Sequence, residues 1–228
     1  MSKRLFLVRH GEVINPGGDK PVFYGALDVS LSSLGKLEAK AAATYLSRFT
    51  LYNVAASPLS RAVFGANEVL TLQSSDNNNN DDDDDDNKER ELKLYDGFRE
   101  LDRGAWCGLT IEEITQDTMD KFDACDESVT PEGGESFMFL KNRVLKARDE
   151  LLDITPTGEC SALVSHLQVT RCMLSDALNI PTSEMANLKI ATASITCIDY
   201  CQASGEQTVH FQSFKPDVGL EQSVDGAN

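Results

Sequence analysis

The sequence has no long hydrophobic run, few aromatic residues and only three histidines in 228 residues. Its first eight residues contain four consecutive apolar positions, too few for the apolar segment of a secretory signal. No later run approaches the roughly 20 apolar residues that a membrane-spanning helix needs. We therefore expect a cytoplasmic protein that does not bind membranes.

Cysteine is present without a recognisable pattern. The six cysteines are scattered without a CxxC pair, and a chain of this length does not need disulfides to fold. Cys197 and Cys201 are four positions apart, but the segment ITCIDYC alternates like a strand and has no third cysteine or histidine beside it. We interpret all six as reduced thiols, and we expect neither a bound metal nor another cofactor.

Positive charge is scarce, because 21 Lys and Arg residues stand against 37 Asp and Glu residues, for a formal net charge of −16. Binding to a nucleic-acid backbone needs a basic surface, so we do not expect nucleic acid as a partner. Seven of the aspartates lie in SDNNNNDDDDDDNK, inside an insertion at about residues 73–90. Its like charges predict a disordered acidic loop, and the Gly and terminal Glu of an EF-hand calcium loop are missing.

Short apolar runs alternate along the chain with segments of helical periodicity. The predicted strands are KRLFLVR, NVAAS, ELKLY, SALVS, SITCIDY and TVHFQSF. Helical spacing appears at residues 34–49, 59–70 and 135–152, and Thr110 with Glu113 forms a capping box that opens a shorter helix. This alternation predicts one domain over residues 1–228, with a three-layer α/β/α fold and a mostly parallel central sheet.

Polar side chains follow several of the predicted strands. His10 ends LFLVRH, His166 ends SALVSH, and Arg61 comes just after NVAAS. Glu100 follows ELKLY after a short loop, and Arg9 precedes His10. Ligands of such folds bind beyond the carboxyl ends of the strands, so we expect these five side chains to converge there. A single histidine or arginine in such a place is more often structural, but the whole set indicates a ligand site.

These residue types are suited to a phosphoryl group. Guanidinium groups match the spread of phosphate oxygens, and a charged imidazole can donate to the same group. A neutral imidazole can attack phosphorus and hold it covalently, while a protonated glutamic acid can give a proton to the leaving oxygen. The cations would then neutralise the transferring oxygens, as Mg²⁺ does in other enzymes.

Six motifs resemble the histidine phosphatase superfamily, in its phosphoglycerate mutase-like branch, and they occur in that family's order over roughly residues 3–200. They are LVRHGE at 7–12, YGALDVSLSSLG at 24–35, ASPLSRA at 56–62, FRELDRGAWCGLT at 98–110, PEGGES at 131–136 and LVSH at 163–166. The resemblance implies a phosphoglycerate mutase-like fold and catalysis through a phosphohistidine without a metal.

The resemblance also implies roles for individual residues. His10 looks like the phosphorylated nucleophile, and Glu100 looks like the proton donor and acceptor. Arg9, Arg61 and His166 look like the phosphate clamp, with His166 also counted as catalytic. Gly11 would allow close approach of the backbone, and PEGGES resembles a loop beside the site, although its glycines could equally be turn formers.

Two departures from the family pattern concern the substrate. The family often has an asparagine several residues past RHG. Here Asn15 comes one place early and is followed by Pro16, and we expect it to contact the phosphate from this shifted position. A Gly-Gly pair is common after the second histidine, whereas this chain has Leu167 and Gln168. The added bulk should change the shape of the substrate pocket more than the chemistry.

The function that we predict is hydrolysis of a phosphomonoester. A phosphoglycerate mutase is the alternative, but it must exclude water and hold a second phosphate, for which an acidic insertion is poorly suited. A phosphate-binding module without turnover is a third hypothesis, although His10 and Glu100 are both present. The expected substrate is a small phosphorylated molecule or a phosphoprotein, and a homodimer is compatible with the sequence.

Overall fold

The computed structural model describes residues 1–75 and 91–219. Most of the acidic insertion predicted at about residues 73–90 therefore lies outside the described residues. Its first residues, 73–75, belong to the end of a helix.

A six-stranded mixed sheet forms the centre of the fold. Its strands are β1 (Lys3–Arg9), β2 (Leu51–Ala56), β3 (Lys93–Leu94), β4 (Cys160–Ser165), β5 (Ile195–Tyr200) and β6 (Gln207–Phe214). Their order across the sheet is β3-β2-β4-β1-β5-β6. The first four are mutually parallel, whereas β5 runs antiparallel to both of its neighbours. The predicted strands thus correspond to observed ones, within a few residues at each end.

Helices cover both faces of this sheet. They are α1 (Ser33–Leu46), α2 (Ser60–Ser75), α3 (Ile111–Ile114), α4 (Gln116–Asp123), α5 (Phe137–Asp153) and α6 (Leu167–Ala177). Short 3₁₀ turns lie at Asp96–Phe98, Gly104–Trp106, Glu127–Val129 and Thr182–Asn187. The predicted capping box opens α3, where the Thr110 side chain accepts from the Glu113 backbone and the Glu113 carboxylate accepts from Thr110.

The core is divided into two layers by the sheet because successive strand residues point to opposite faces. Leu5 and Leu7 of β1 pack in one layer with residues of α5 and α6. Phe6 and Val8 pack in the other layer with residues of α1 and α2. This arrangement confirms the predicted three-layer α/β/α fold.

Helix α1 differs from the simple periodic pattern that indicated it. Leu34 and Leu37, which contributed to its predicted spacing, are exposed by 37% and 44%. The buried face instead includes Gly35 and Glu38, together with several alanines. Gly35 lies against the loop that follows β1, since a Cβ atom there would overlap the carbonyl oxygen of Glu12. The close approach of this loop at Gly35 and the core packing of Ala42, Ala43 and Leu46 together determine which face of α1 is buried.

Within the part of the chain that the structure describes, no helix combines the length and the apolar character needed to cross a bilayer.

Candidate active site

Two adjacent parallel strands bring the two predicted histidines together. In the pairing of β1 with β4, the last residues, Arg9 and Ser165, lie opposite each other. His10 and His166 directly follow these two residues. The backbone N–H of His10 donates to the carbonyl of Ser165 at 2.9 Å. The two imidazole rings lie edge to face with their centroids 5.2 Å apart. His10 is 4% exposed and His166 is fully buried.

One hydrogen bond sets the tautomer of His10. Its Nδ1 lies 2.7 Å from the carbonyl oxygen of Gly11, and since a carbonyl only accepts, Nδ1 must carry the proton. The lone pair of a neutral His10 ring is therefore on Nε2. Gly11 itself packs closely on the start of α1, where a Cβ atom would overlap the carbonyl oxygen of Gly35. A residue with a side chain could not bring this carbonyl to the same place.

Burial and neighbouring cations keep both imidazoles neutral. Burial, Arg61 and Arg9 lower the pKa of His10 to about 3, against the opposing effect of the bond to Gly11. Burial lowers the pKa of His166 well below its ordinary value, and His10 and Arg61 act in the same direction. Neutral imidazole is the nucleophilic form of histidine, and His10 keeps this form over the physiological pH range.

Two guanidinium groups flank the histidines. Arg61, in the first turn of α2, is 1% exposed and donates from Nη1 to the carbonyl of Leu27 at 2.6 Å and from Nη2 to that of Gly25 at 2.8 Å. Arg9 donates from Nη1 to the carbonyl of Ile190 at 2.6 Å. These bonds fix both side chains beside His10, where each adds a positive charge.

Several nitrogen atoms around His10 are buried without a hydrogen-bond partner in the described residues. They are Nε of Arg9, Nε of Arg61 and both ring nitrogens of His166. A buried polar group without a partner costs about 1–3 kcal/mol, so native proteins rarely keep several together without a purpose. An oxygen-rich anion beside His10 would accept from the Nε–H groups of the two arginines and from the protonated ring nitrogen of His166.

Glu100 reaches the same place from the loop after β3. Its Oε1 accepts from the backbone N–H of Leu101 at 2.8 Å, and its Oε2 accepts from that of Gln168 at 3.4 Å. Gln168 lies in the first turn of α6, two residues after His166. Glu100 is 9% exposed and lines a cavity together with His10 and Arg9.

An ion pair that sequence reasoning missed holds the loop of Glu100. Arg143 of α5 donates to the backbone carbonyls of Gly97, Arg99 and Glu100 at 2.8–3.1 Å. The same guanidinium pairs with both carboxylate oxygens of Glu135. Glu135 belongs to the PEGGES motif, so this motif supports the loop that carries the predicted acid.

The two glycines of that motif are needed for different structural reasons. Gly133 has a φ of +71° and open space around it, as a turn former does. A Cβ atom on Gly134 would lie 2.8 Å from the carbonyl oxygen of Asp102, so this position is small because the backbone passes close by.

Asn15 is not brought to the cavity by the described chain. Its side-chain amide donates to the carbonyls of Gly18 and Lys20 at 2.7 and 2.6 Å, and its Oδ1 accepts from Gly17 at 3.2 Å. These bonds close a turn around Pro16. They use the side-chain amide of Asn15 within that turn, so the amide does not join the proposed phosphate donors. We leave Asn15 out of the proposed site.

The cavity beside His10 has a volume of about 300 Å³. Its wall includes three charged residues that the sequence did not single out, namely Arg103, Asp123 and Arg171. Leu167 and Gln168, which replace the expected glycines, also line it. Among the residues with described positions, no group of three or more His, Cys, Asp or Glu side chains is arranged to hold a metal ion.

Comparison with protein families and curated proteins places this geometry in a known context. The model of the histidine phosphatase superfamily (branch 1) matches residues 5–212. Phosphoserine phosphatase 1 of Hydrogenobacter thermophilus is 30% identical over 199 residues, which are 86% of this chain and 85% of that protein. A probable phosphoglycerate mutase GpmB of Yersinia enterocolitica is 25% identical over 201 residues, which are 86% of this chain and 85% of that protein.

A solved structure supports the fold in the same way. The native structure of the mycobacterial glucosyl-3-phosphoglycerate phosphatase Rv2419c superposes with a TM-score of 0.74 and 22% identity, covering 93% of this chain and 99% of that one. At 22% identity, this similarity supports the fold alone.

Proposed function

The chain belongs to the histidine phosphatase superfamily, and from this premise we propose that it hydrolyses phosphomonoesters through a phosphohistidine at His10. The observation that carries the proposal is the group of buried, unpartnered nitrogens of Arg9, Arg61 and His166 around a neutral imidazole. They are donors for the phosphate oxygens, and Nε2 of His10 is the nucleophile.

In the first step, Nε2 of His10 forms a bond to phosphorus while the ester P–O bond breaks. The leaving oxygen takes a proton from the carboxyl group of Glu100, which becomes a carboxylate. Arg9 and Arg61 neutralise the phosphoryl oxygens, as do N–H donors of His166. Phosphate bears about two negative charges, so its binding favours the charged form of His166 that the free site disfavours.

In the second step, the Glu100 carboxylate accepts a proton from a water molecule whose oxygen attacks phosphorus. The N–P bond breaks, inorganic phosphate leaves, and His10 and Glu100 return to their starting states. The bond from Nδ1 of His10 to Gly11 persists throughout and keeps Nε2 as the reacting atom.

The proposed substrate is a small phosphorylated metabolite. The relative from Hydrogenobacter thermophilus is named a phosphoserine phosphatase, which makes phosphoserine the first natural ester to test. The proposed compartment is the cytoplasm, whose reducing conditions suit six free cysteines. A homodimer stays a prediction that analytical ultracentrifugation would test.

The test is release of inorganic phosphate from p-nitrophenyl phosphate and phosphoserine, measured beside the interconversion of phosphoglycerates. We expect phosphate release to be the faster reaction. Interconversion of phosphoglycerates without release of phosphate would overturn the proposal and favour the mutase.

A further inference from the structure

The cavity beside His10 carries two guanidinium groups that the proposed hydrolysis does not use. Arg103 and Arg171 line its wall together with Asp123, whereas the proposed phosphate donors are Arg9 and Arg61. Arg103 follows Glu100 by three residues, Arg171 lies in the second turn of α6, and Asp123 ends α4. Three separate elements thus place charge on one side of the same cavity.

Arg103 is a rigid donor with an unused nitrogen. Its guanidinium carbon lies 4.8 Å from the ring centroid of Phe23 and 5.2 Å from that of Phe122. The residue is 7% exposed, and its Nη1 is buried without a hydrogen-bond partner in the described residues. Leaving such a donor unpaired is unfavourable, and a planar guanidinium fits the two oxygens of a carboxylate. An anionic ligand group in the cavity would satisfy Arg103.

Arg171 is oriented by the protein but keeps donors for a ligand. Its Nε donates to the carbonyl of Leu188 at 2.9 Å, and its Nη1 donates to Oε1 of Gln168 at 3.4 Å. A guanidinium has five N–H donors, so these two bonds leave others for the cavity. Gln168 also donates its backbone N–H to Glu100, which ties the position of Arg171 to that of the predicted acid.

The charge on this side of the cavity selects the kind of anion. Asp123 and Glu100 both lie within electrostatic reach of Arg103 and Arg171. In the proposed mechanism Glu100 enters as the protonated acid, so the two guanidinium groups and the carboxylate of Asp123 sum to one positive charge, which a carboxylate would neutralise. A second phosphate group bears about two negative charges and would leave an excess that the site does not balance.

We propose that Arg103 and Arg171 bind a carboxylate of the substrate, so that the ester hydrolysed is a small phosphomonoester with a carboxylate near its phosphate. The inference rests on the proposed hydrolysis at His10, which makes this cavity the substrate site. A volume of about 300 Å³ is at the lower end for small-molecule pockets, which favours a metabolite over a phosphoprotein segment.

The test compares two esters that differ only by the carboxylate, O-phosphoserine and O-phosphoethanolamine. The quantity measured is the ratio of their kcat/KM values in the wild type, in Arg171→Met and in Arg103→Gln. Arg48→Met is the matched control, because Arg48 packs over Tyr45 on α1, outside the cavity lining. A charge-assisted contact contributes about 1.5–3 kcal/mol, so we expect the wild type to prefer phosphoserine by about 10- to 150-fold.

Arg171→Met should reduce this preference by at least about tenfold, and Arg48→Met should keep it. The carboxylate site would be overturned if the kcat/KM values of the two esters were nearly equal in the wild type. It would also be overturned if Arg171→Met kept the wild-type preference for phosphoserine. Because Arg171 is only half-buried, this variant should fold even if Arg103→Gln does not.

A binding measurement separates this inference from the proposed hydrolysis. Both esters are titrated calorimetrically into the His10→Ala variant, with and without Arg171→Met, so that no turnover is needed. Tighter binding of phosphoserine that depends on Arg171 supports the carboxylate site even if the wild type releases no phosphate. Equal binding of both esters would overturn it even if the wild type is an active phosphatase.

Discussion

The imidazole of His166 lies with its ring centroid 5.2 Å from that of His10, and both of its nitrogens are buried without a partner in the described chain. Two charged imidazoles this close would repel one another, and Arg61 adds to that repulsion. A doubly charged anion between them reverses the balance. In the mechanism that we propose, the bound phosphate would therefore make His166 a cationic donor.

This arrangement predicts the ionisation of the free enzyme. Since burial and cations lower the pKa of His10 to about 3, its ring should stay neutral as the pH falls from 8 to 5. His166 should behave in the same way because its pKa is lowered by the same causes. The measurement is an NMR titration of the ring protons over about this pH range, with His10→Ala and His210→Ala used for assignment. A ring signal of His10 that titrates near the ordinary histidine pKa would contradict the burial argument.

The second prediction concerns the nucleophile. His10→Ala should abolish turnover of every phosphomonoester and should prevent acid-labile labelling by a radiolabelled substrate, because Nε2 of His10 is the atom that we propose forms the N–P bond. Rapid acid-free quenching followed by gel detection measures the label. A labelled wild type and an unlabelled variant separate hydrolysis from a phosphate-binding module, whereas persistent labelling of His10→Ala would mean that another residue is the nucleophile.

The third prediction concerns the acid. Glu100→Gln keeps the size of the side chain, and its carbonyl oxygen can still accept from Leu101, but the amide cannot give a proton to the leaving oxygen. General acid catalysis contributes about 10²- to 10⁴-fold, so kcat for an alkyl ester such as phosphoethanolamine should fall within that range.

Hydrolysis of p-nitrophenyl phosphate should fall much less, because its leaving group needs little protonation. The comparison is made at one pH with both substrates saturating. Equal losses for the two substrates would show that Glu100 positions the phosphate and does not protonate the leaving group.

Much of the sheet and of the proposed phosphate site could be predicted from the sequence. Apolar runs such as LFLV and SALV are buried on both sides, so their pattern is strong, and polar residues directly after them must lie at the edge where strands end. The positions of His10 and His166 follow from this local rule together with the pairing of β1 with β4.

Helix α6 was not predicted, for a physical reason. Its buried face includes Gln168, Thr170 and Ser175, which break the apolar periodicity. Thr170 and Ser175 hide their hydroxyls by donating to backbone carbonyls of His166 and Cys172 at 3.0 Å. Because the helix lacked a clear apolar periodicity, Arg171 was not recognised as a residue of the cavity. Residues of the proposed carboxylate site come from α4, α6 and a loop, and their proximity is a tertiary fact that no local pattern contains.

The fourth prediction concerns metal ions. In the proposed mechanism, guanidinium groups of Arg9 and Arg61 supply the positive charge that a metal ion provides in many phosphoryl-transfer enzymes. Treatment with excess EDTA followed by gel filtration should therefore leave kcat for p-nitrophenyl phosphate unchanged. A rate that is lost and then restored only by added Mg²⁺ would contradict this mechanism.

The last prediction concerns Gly11. A Cβ atom at this position would overlap the backbone carbonyl of Gly35, and backbone atoms cannot rotate aside as a side chain can. Gly11→Ala should therefore push the loop after β1 away from α1 and displace the carbonyl that holds Nδ1 of His10. We expect a loss of about 1–3 kcal/mol in the free energy of unfolding, together with a lower kcat.

Gly65→Ala is the matched control for Gly11→Ala, because a Cβ atom on Gly65 in α2 would meet a methyl group of Val164 at 3.2 Å and no backbone atom closer than that. It should cost less stability and leave kcat near the wild-type value. Chemical denaturation and steady-state kinetics on both variants measure the two effects. If Gly11→Ala kept the kcat of the wild type, the contact between this loop and α1 would not be what positions the nucleophile, and the bond from His10 to Gly11 would have to tolerate a displaced carbonyl.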